Sequence, residues 1–508
     1  MNNHPLLLGI DIGTTGAKVV LVDGRDANAI AHRSVEYPLH MPRPNWCEQD
    51  PQDWWRATVQ AVRQVMETER IEAKRIAAIG LSGQMHGLVT LDSAGEVIRP
   101  AILWNDQRTA EQCEEIMRLV GFDRLIQLTG NIALTGFTAP KILWMREHEP
   151  GAYGRIESIL LPKDYVRYRL SGERFTDVAD ASGTLLLDVA QRNWSSAMLD
   201  ALDIPRSWLA TVTECDVAST RLSAQVAREL GLLEGTPIAA GAGDQAAQAV
   251  GSGIIEEGTV CVTIGTSGVA FAPMNTYRPE PRGRLHAFCH AVPGMWHLMG
   301  VMLSAGGSLR WLRDLLGDEF NEHSCYLGRD PYDILTDEAS TIAPGADGLI
   351  FLPYLTGERT PHNDPKARGV FFGLSLHHRR PHLARAVLEG ITFGLCDSLD
   401  LLRESGVQPR EIRISGGGAR SAVWRQLLAD VFGQAVTTCD SPHGAAMGAA
   451  LLGGVGAGLF AGVPSAGRLV GTNPARTQPG PASSHYPAIR RRYRSLYPAL
   501  AREFARLH

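Results

Sequence analysis

The apolar and polar positions of the chain change rhythm at a few glycine-rich turns. Residues 6–12 (LLLGIDI) are apolar apart from Gly9 and Asp11. Residues 17–22 (AKVVLV) are apolar apart from Lys18, and GTTG joins the two runs at 13–16. Two β-rich runs around so short a bend predict a β-hairpin. The same order returns at residues 258–274 (GTVCVTIGTSGVAFAPM), where Ile264-Gly265-Thr266-Ser267-Gly268 aligns with Ile12-Gly13-Thr14-Thr15-Gly16. A third glycine turn lies within residues 411–436. There residues 412–415 predict a strand and Gly416-Gly417-Gly418 a turn. Trp424, Leu427, Leu428 and Val431 then recur with the spacing of one helix face. Asp50-Pro51 predicts a helix start, with Trp54 and Trp55 as core residues. A last helix is expected over residues 488–507, after a connecting loop, residues 462–487, rich in Pro, Gly, Ala and Ser.

The recurring hairpin implies two homologous domains, residues 1–250 and 251–508, each opening on the same unit. Glycines at such a bend let the backbone approach a ligand, and Thr hydroxyls with exposed N–H groups suit phosphate oxygens. Gly13, Thr14 and Thr15 in one turn, with Gly265 and Thr266 in the other, would grip one polyphosphate from two sides. Asp11 stands beside the first turn, where it can hold Mg2+ through water, while the second hairpin has Thr263 in that place. Gly417 and Gly418 lie at a strand-to-helix turn, which suits a flat or anionic ligand, although plain α/β turns also use glycine.

One charge stands out by its isolation. Between Glu234 and Glu256, Asp244 is the only charged side chain, set in AAGAGDQAAQAVGSG. Desolvation would raise its basicity and make it a general base; equally, it could cap the helix that follows. Gly241-Ala242-Gly243-Asp244-Gln245-Ala246 also fits a dinucleotide fingerprint. That reading needs an acid about 20 residues on, and none lies between Glu257 and Glu280. The P-loop pattern and the protein-kinase motifs are absent.

The chain of 508 residues is 44% hydrophobic and 20% charged, with a formal net charge of −5, as expected of a soluble globular protein. That balance gives no footprint for nucleic acid or an anionic membrane. Eight cysteines lie far apart with no C-x-x-C pair, which points to a reduced, cytoplasmic setting. No secretory signal pattern and no apolar run of roughly 18–20 residues occurs.

Taken in order, GIDIGTTGAKVVLVD, CVTIGTSGVAF and ISGGGARSAVWRQLLAD resemble the two phosphate hairpins and the adenosine segment of the FGGY family of carbohydrate kinases. FTAPKILWMREH (residues 137–148) and GVFFGLSLHHRRPHLARAVLEG (369–390) resemble that family's two signatures. LSGQMHG, RPAILWNDQR, LLPKDYVRYRLSGE and FLPYLTGERTPHNDP resemble its D-xylulose-phosphorylating branch more narrowly. The likeness covers residues 5 to about 455. It implies an α/β fold of two ribonuclease H-like domains of the actin-like ATPase type, with an interdomain cleft. It further implies ATP and Mg2+ as cofactors and phosphorylation of D-xylulose at O5, with another pentulose or a polyol as the alternative. Asp244 would be the base and Asp11 the metal ligand. Met85, His86, Asn105, Asp106 and Gln245 would meet the sugar, although Asn105-Asp106 is equally a turn and Gln245 stands where many relatives have Asn. Lys163 and Asp164 pair or cap a helix, Lys18 is left out of the catalytic set because strand alternation can turn it either way, and no chemistry is assigned to GERTPHNDP or His443. A homodimer stays open. A chaperone-like or filament-like binding protein of the same fold is the competing class, and it would need a further domain.

Overall fold

The computed structural model describes residues 4–439, 443–471 and 476–507. Strand β1 (Leu6–Ile12) pairs antiparallel with β2 (Gly16–Asp23), which pairs antiparallel with β3 (Ala29–Glu36). Helix α1 (Pro51–Thr68) follows. Its Asp50 cap accepts from Gln52 N at 2.9 Å, and Trp54 and Trp55 are buried in the core beneath it. Strand β4 (Ile76–Gly83) then joins the other edge of β1 in parallel and carries β5 (Pro237–Ile238) on its far side. The near-continuous apolar run of β1 is explained by this central place, since a strand covered on both faces has little use for alternation.

The second half repeats the plan. After α2 (Asp244–Val250), β6 (Thr259–Ile264) pairs antiparallel with β7 (Gly268–Met274), and β7 with β8 (Trp296–Met302). A long buried helix, α3 (Arg380–Glu404), covers this sheet. Strand β9 (Glu411–Ser415) joins β6 in parallel; α4 (Ala422–Phe432) follows, and β10 (Val436–Thr438) extends the sheet. Each half is thus a hairpin with a third antiparallel strand on one side and parallel strands on the other. This is the α/β architecture of two ribonuclease H-like domains, and the two glycine turns occupy equivalent corners.

Helix α5 (Gly444–Gly456) belongs to the second half by sequence but seats on β1 and β4 of the first. Gly9 and Gly80 are paired in register beneath it. A Cβ at Gly9 would lie 1.9 Å from Ala446 O, and one at Gly80 1.7 Å from Ala449 O. Helix α2 packs on the same helix as closely, for a Cβ at Gly448 would lie 1.8 Å from Ala247 O. The small residues around Asp244 therefore serve backbone-to-backbone contact between α2 and α5.

Three expected elements differ in extent. The last helix, α6 (Tyr486–Arg506), starts earlier than expected, with Pro487 in its first turn. Residues 462–487 are not wholly loop: a short helix (Val463–Gly467) and a strand (Arg476–Thr477) paired with β10 lie there, and residues 472–475 fall outside the described residues. The triple glycine does not lead straight into α4. A 3-10 turn (Gly417–Arg420) intervenes, and Ser421 caps the helix by accepting from Trp424 N. None of the eight cysteines is bridged, and no helix among the described residues is long and apolar enough to cross a membrane.

Candidate active site

The corner of the first hairpin places Asp11 opposite Lys18 on β2 and Ser82 on β4. Its Oδ1 is buried and has no hydrogen-bond partner among the described residues. Burial raises its pKa, and the neighbouring Ser82 and the Lys18 charge partly offset the rise. Asp11 and Lys18 line a cavity of about 610 Å³ together with Thr263, Ser415, Gly416 and Gly417. Lys18, given no role on sequence grounds, lies opposite Asp11 across the strand pair and lines this cavity. The cavity therefore has a carboxylate and an ammonium on one wall and a glycine turn on the other.

A second cavity, about 370 Å³, meets the first at Gly417 and Arg420. Gly265, Thr266, Gly418, Leu309, Tyr332 and Trp424 line it, a mixture of backbone donors and apolar walls. The turn of Gly265 and Thr266 is held by the helix start beyond β8: Ala305 N donates to Thr266 O at 2.9 Å and Gly306 N to Gly265 O at 2.8 Å. Four of the expected phosphate and nucleotide contacts (Gly265, Thr266, Gly417, Gly418) thus converge here. Gly13, Thr14 and Thr15 do not line either cavity. Thr14 Oγ1 is engaged by Gln84 Oε1 at 3.2 Å and Trp104 Nε1 at 3.0 Å, and Tyr37 OH donates to Gly13 O.

Asp244 stands one residue beyond Gly243, which is paired with Gly83 at the end of β4. The helix cap is Gly243, and Asp244 is the first residue of the helix itself, so the capping alternative is corrected. Burial pushes its carboxyl up to about 7; the charge of Asp11 adds to the rise, and hydrogen bonds from Gln245 oppose it. The nearby Asp11 charge thus makes Asp244 costlier to ionise than burial alone would.

The turn after β4 carries Met85 and His86. Met85 is buried and packs under Gly243, where a Cβ would meet its Cγ at 2.7 Å. His86 adopts φ +69°, a region that costs a residue with a Cβ about 1–2 kcal/mol. Its Nδ1 lies 2.6 Å from Gly183 O. A carbonyl can only accept, so Nδ1 carries the proton and Nε2 is left as an acceptor. Burial pushes its pKa down to about 3, so the ring stays neutral. The imidazole stands edge-on to Phe137, centroids 4.7 Å apart, in a pocket of about 40 Å³ that also includes Trp104, His286, Phe288 and Arg359.

Two expected sugar contacts are not brought here. Asp106 is fully buried, and its carboxylate is used by Cys47 N at 2.6 Å and by Arg108 N, Nε and Nη2 at 2.9, 2.9 and 2.7 Å. It fixes the turn, as its alternative reading had it. Gln245 lines a narrow crevice with Thr263 and Val269 on the second half's hairpin, away from His86. Asn105 is half-buried, and its Oδ1 has no partner among the described residues. Lys163 pairs with Asp164 and also with Asp177, both at 2.5 Å, in a wholly buried cluster.

The sequence reading missed Trp104, Phe137, His286, Phe288 and Arg359. Trp104 adjoins Asn105, and Arg359 sits in the GERTP stretch that carried no assigned role, so both were within sight. His286 and Phe288 lie in an ordinary buried strand and gave no signal. Outside the cleft, Asp347, His377 and His382 come together in a metal-like group. There His382 Nδ1 accepts from Arg379 N, which leaves the proton on Nε2 facing Asp347 Oδ2 at 3.3 Å and leaves His382 no free nitrogen for a metal.

The family model described as FGGY family of carbohydrate kinases, N-terminal domain, matches residues 6–251, and that of the C-terminal domain matches residues 260–457. A xylulose kinase of Escherichia coli K12 is 42% identical over 448 residues, which cover 88% of this chain and 89% of that protein. A gluconokinase of Bacillus subtilis is 32% identical over 449 residues, 88% of this chain and 86% of that one. The crystal structure of xylulose kinase from Rhodospirillum rubrum superposes with a TM-score of 0.91 at 31% identity, over 98% of this chain and 100% of that chain.

Proposed function

Because this chain belongs to the FGGY family of carbohydrate kinases, we propose that it transfers the γ-phosphoryl group of ATP to O5 of D-xylulose, with Asp244 as the base. The observation that carries this reading is Asp244 itself. A carboxyl pushed up to about 7, at a helix start beside the neutral His86 turn and within the field of Asp11, is poised to take a proton at working pH. A hydroxyl is a poor nucleophile until its proton has an acceptor, and the carboxylate also aims the oxygen at the phosphorus. His86 Nε2 accepts from a second sugar hydroxyl, and Trp104 and Phe137 cover the sugar's carbon faces. Nucleotide would lie along the two joined cavities, its phosphates towards Asp11 and Lys18 and its base between Gly418, Tyr332 and Trp424.

The unpartnered Oδ1 of Asp11 on the wall of the larger cavity fits a hydrated Mg2+. When bound, that ion neutralises charge on the phosphates during transfer. Lys18 adds a positive charge on the same wall, and Ser415, Gly416 and Gly417 close the opposite one.

A second reading follows from Arg359. Its guanidinium makes no ion pair among the described residues and lines the acceptor pocket beside His86. It would pair with the carboxylate of a sugar acid, the acceptor class in the name of the gluconokinase relative. The experiment is ADP release with MgATP against D-xylulose, D-ribulose, xylitol and D-gluconate. D-Xylulose is expected to give the highest kcat/KM. No sugar-dependent ADP release refutes the kinase reading, and gluconate ahead of every ketose selects the second.

A further inference from the structure

The segment FTAPKILWMREH enters the chemistry above only through Phe137, yet it also buries a cation. Lys141 is fully buried near the start of the helix Thr138–His148, where the helix dipole disfavours positive charge. It makes no salt bridge among the described residues. Its Nζ donates instead to two backbone carbonyls, His86 O at 2.8 Å and Gly136 O at 2.7 Å. Thr138 Oγ1 donates to the same His86 oxygen at 3.0 Å, so both lone pairs of that carbonyl are filled.

The two carbonyls belong to different walls of the acceptor pocket. One is the turn that carries the His86 imidazole, and the other is the loop before Phe137, the ring that imidazole stands against. His86 holds φ +69°, a conformation it would leave without outside restraint. The Gly183 carbonyl restrains its ring and Lys141 its backbone. A methionine would fill the same space without desolvating a charge, so the ammonium is retained for its donors. We propose that Lys141 is a positioning residue for the acceptor sugar: by tying the His86 carbonyl to the Gly136 loop it fixes where His86 Nε2 meets the sugar hydroxyl. The inference rests on the sugar-kinase reading of this pocket. Asp106, Arg108 and Cys113 are the other charged or titratable groups that act on Lys141, besides His86 itself.

The test is steady-state kinetics of the full chain with D-xylulose and ATP, comparing wild type, Lys141→Met and Thr138→Val. Lys141→Met is expected to raise the ketose KM roughly 10- to 100-fold, the scale of a lost charge-assisted hydrogen bond, with the ATP KM within about twofold. Its unfolding temperature is expected to be no lower than wild type, because the buried charge is gone. Thr138→Val removes one donor to the same carbonyl and is expected to raise the ketose KM about three- to tenfold. A ketose KM within twofold of wild type, or parallel rises in both KM values, overturns the assignment. Should Lys141→Met not fold, Thr138→Val decides by the same criterion. A wild type inactive on every acceptor overturns the kinase reading and this inference together; an active wild type with unmoved variants overturns only the inference.

Discussion

Replacing Asp244 by Asn separates its chemistry from its packing. The side chains are nearly equal in size, and Asp244 is not the helix cap, so the fold loses nothing at Gly243. Only proton acceptance is removed, for a kcat loss of roughly 10²- to 10⁴-fold, about 2.7–5.5 kcal/mol of barrier. Stability moves the other way. The carboxyl is raised from 3.8 to about 7 in the folded chain, so its ionised form is disfavoured there. Below 3.8 the group is protonated in both states and costs nothing. Between 3.8 and 7 the unfolded state ionises first and stability falls as pH rises, and above 7 the full penalty applies. Three units at about 1.36 kcal/mol each bound that penalty at about 4 kcal/mol, and the partial exposure of Asp244 reduces it. Asn carries no such penalty. Thermal unfolding at pH 8 should therefore show Asp244→Asn a few degrees above wild type, with the gap closing towards pH 4. In the wild type, kcat/KM for the sugar should rise with pH through about 7 to a plateau, as the base of the free enzyme loses its proton. A folded Asn variant with near-normal kcat, or one that melts earlier at pH 8, refutes the reasoning.

His86→Ala removes the Nε2 acceptor and should raise the ketose KM roughly 10- to 100-fold while leaving the ATP KM near wild type; equal rises in both would mean a collapsed turn. Asp11→Asn should lower kcat/KM for MgATP by about 10²-fold with sugar binding by calorimetry little changed, and normal turnover at limiting magnesium would remove Asp11 from the metal role. Gly448→Ala puts a Cβ 1.8 Å from Ala247 O, so chemical denaturation should show a loss of about 3 kcal/mol or more, and an unchanged midpoint would mean that α5 moves freely over α2.

The hairpins were legible because a central strand writes itself as an unbroken apolar run and a phosphate turn writes itself in Gly and Thr. Their repetition made the two-domain α/β plan readable as well. Asp244 was legible as an anomaly, a lone charge among small residues, but its neighbours' purpose was not. Gly448 and Ala247 lie some two hundred positions apart, and only the packed chain shows that their backbones touch. Asp106 misled because an Asn-Asp turn looks the same whether its carboxylate faces substrate or is consumed by Cys47 N and Arg108. Arg359 and Phe288 were hidden for a related reason. They belong to the second half, and no local pattern announces that a side chain crosses to the other half's pocket.

The two sides of the cleft are unequally open. The nucleotide side offers cavities of about 610 and 370 Å³, whereas the acceptor pocket offers about 40 Å³. At about 10–15 Å³ of such space per water, the acceptor pocket holds about three waters, and a ketopentose has ten heavy atoms. The pocket of His86 and Arg359 as it stands is thus smaller than a whole ketopentose. His86, Trp104 and Phe137 come from the first half, while His286, Phe288 and Arg359 come from the second. The first wall is pinned by Lys141, Thr138 and Gly183, whereas Arg359 is restrained by no ion pair among the described residues. The strand of His286 and Phe288 is tied to the first half as well, through Asn131 Nδ2 to Ala287 O at 3.0 Å, His286 Nδ1 to Asn131 Oδ1 at 2.8 Å and Cys289 N to Ser182 Oγ at 3.0 Å. Where α5 meets β1, β4 and α2, backbone-to-backbone contact at Gly9, Gly80 and Gly448 leaves no side-chain cushion to compress. Gly265, Thr266 and Gly417 belong to the same half as Arg359, so the setting of Arg359 at the acceptor pocket and the distance from the phosphates to Asp244 are coupled through one domain.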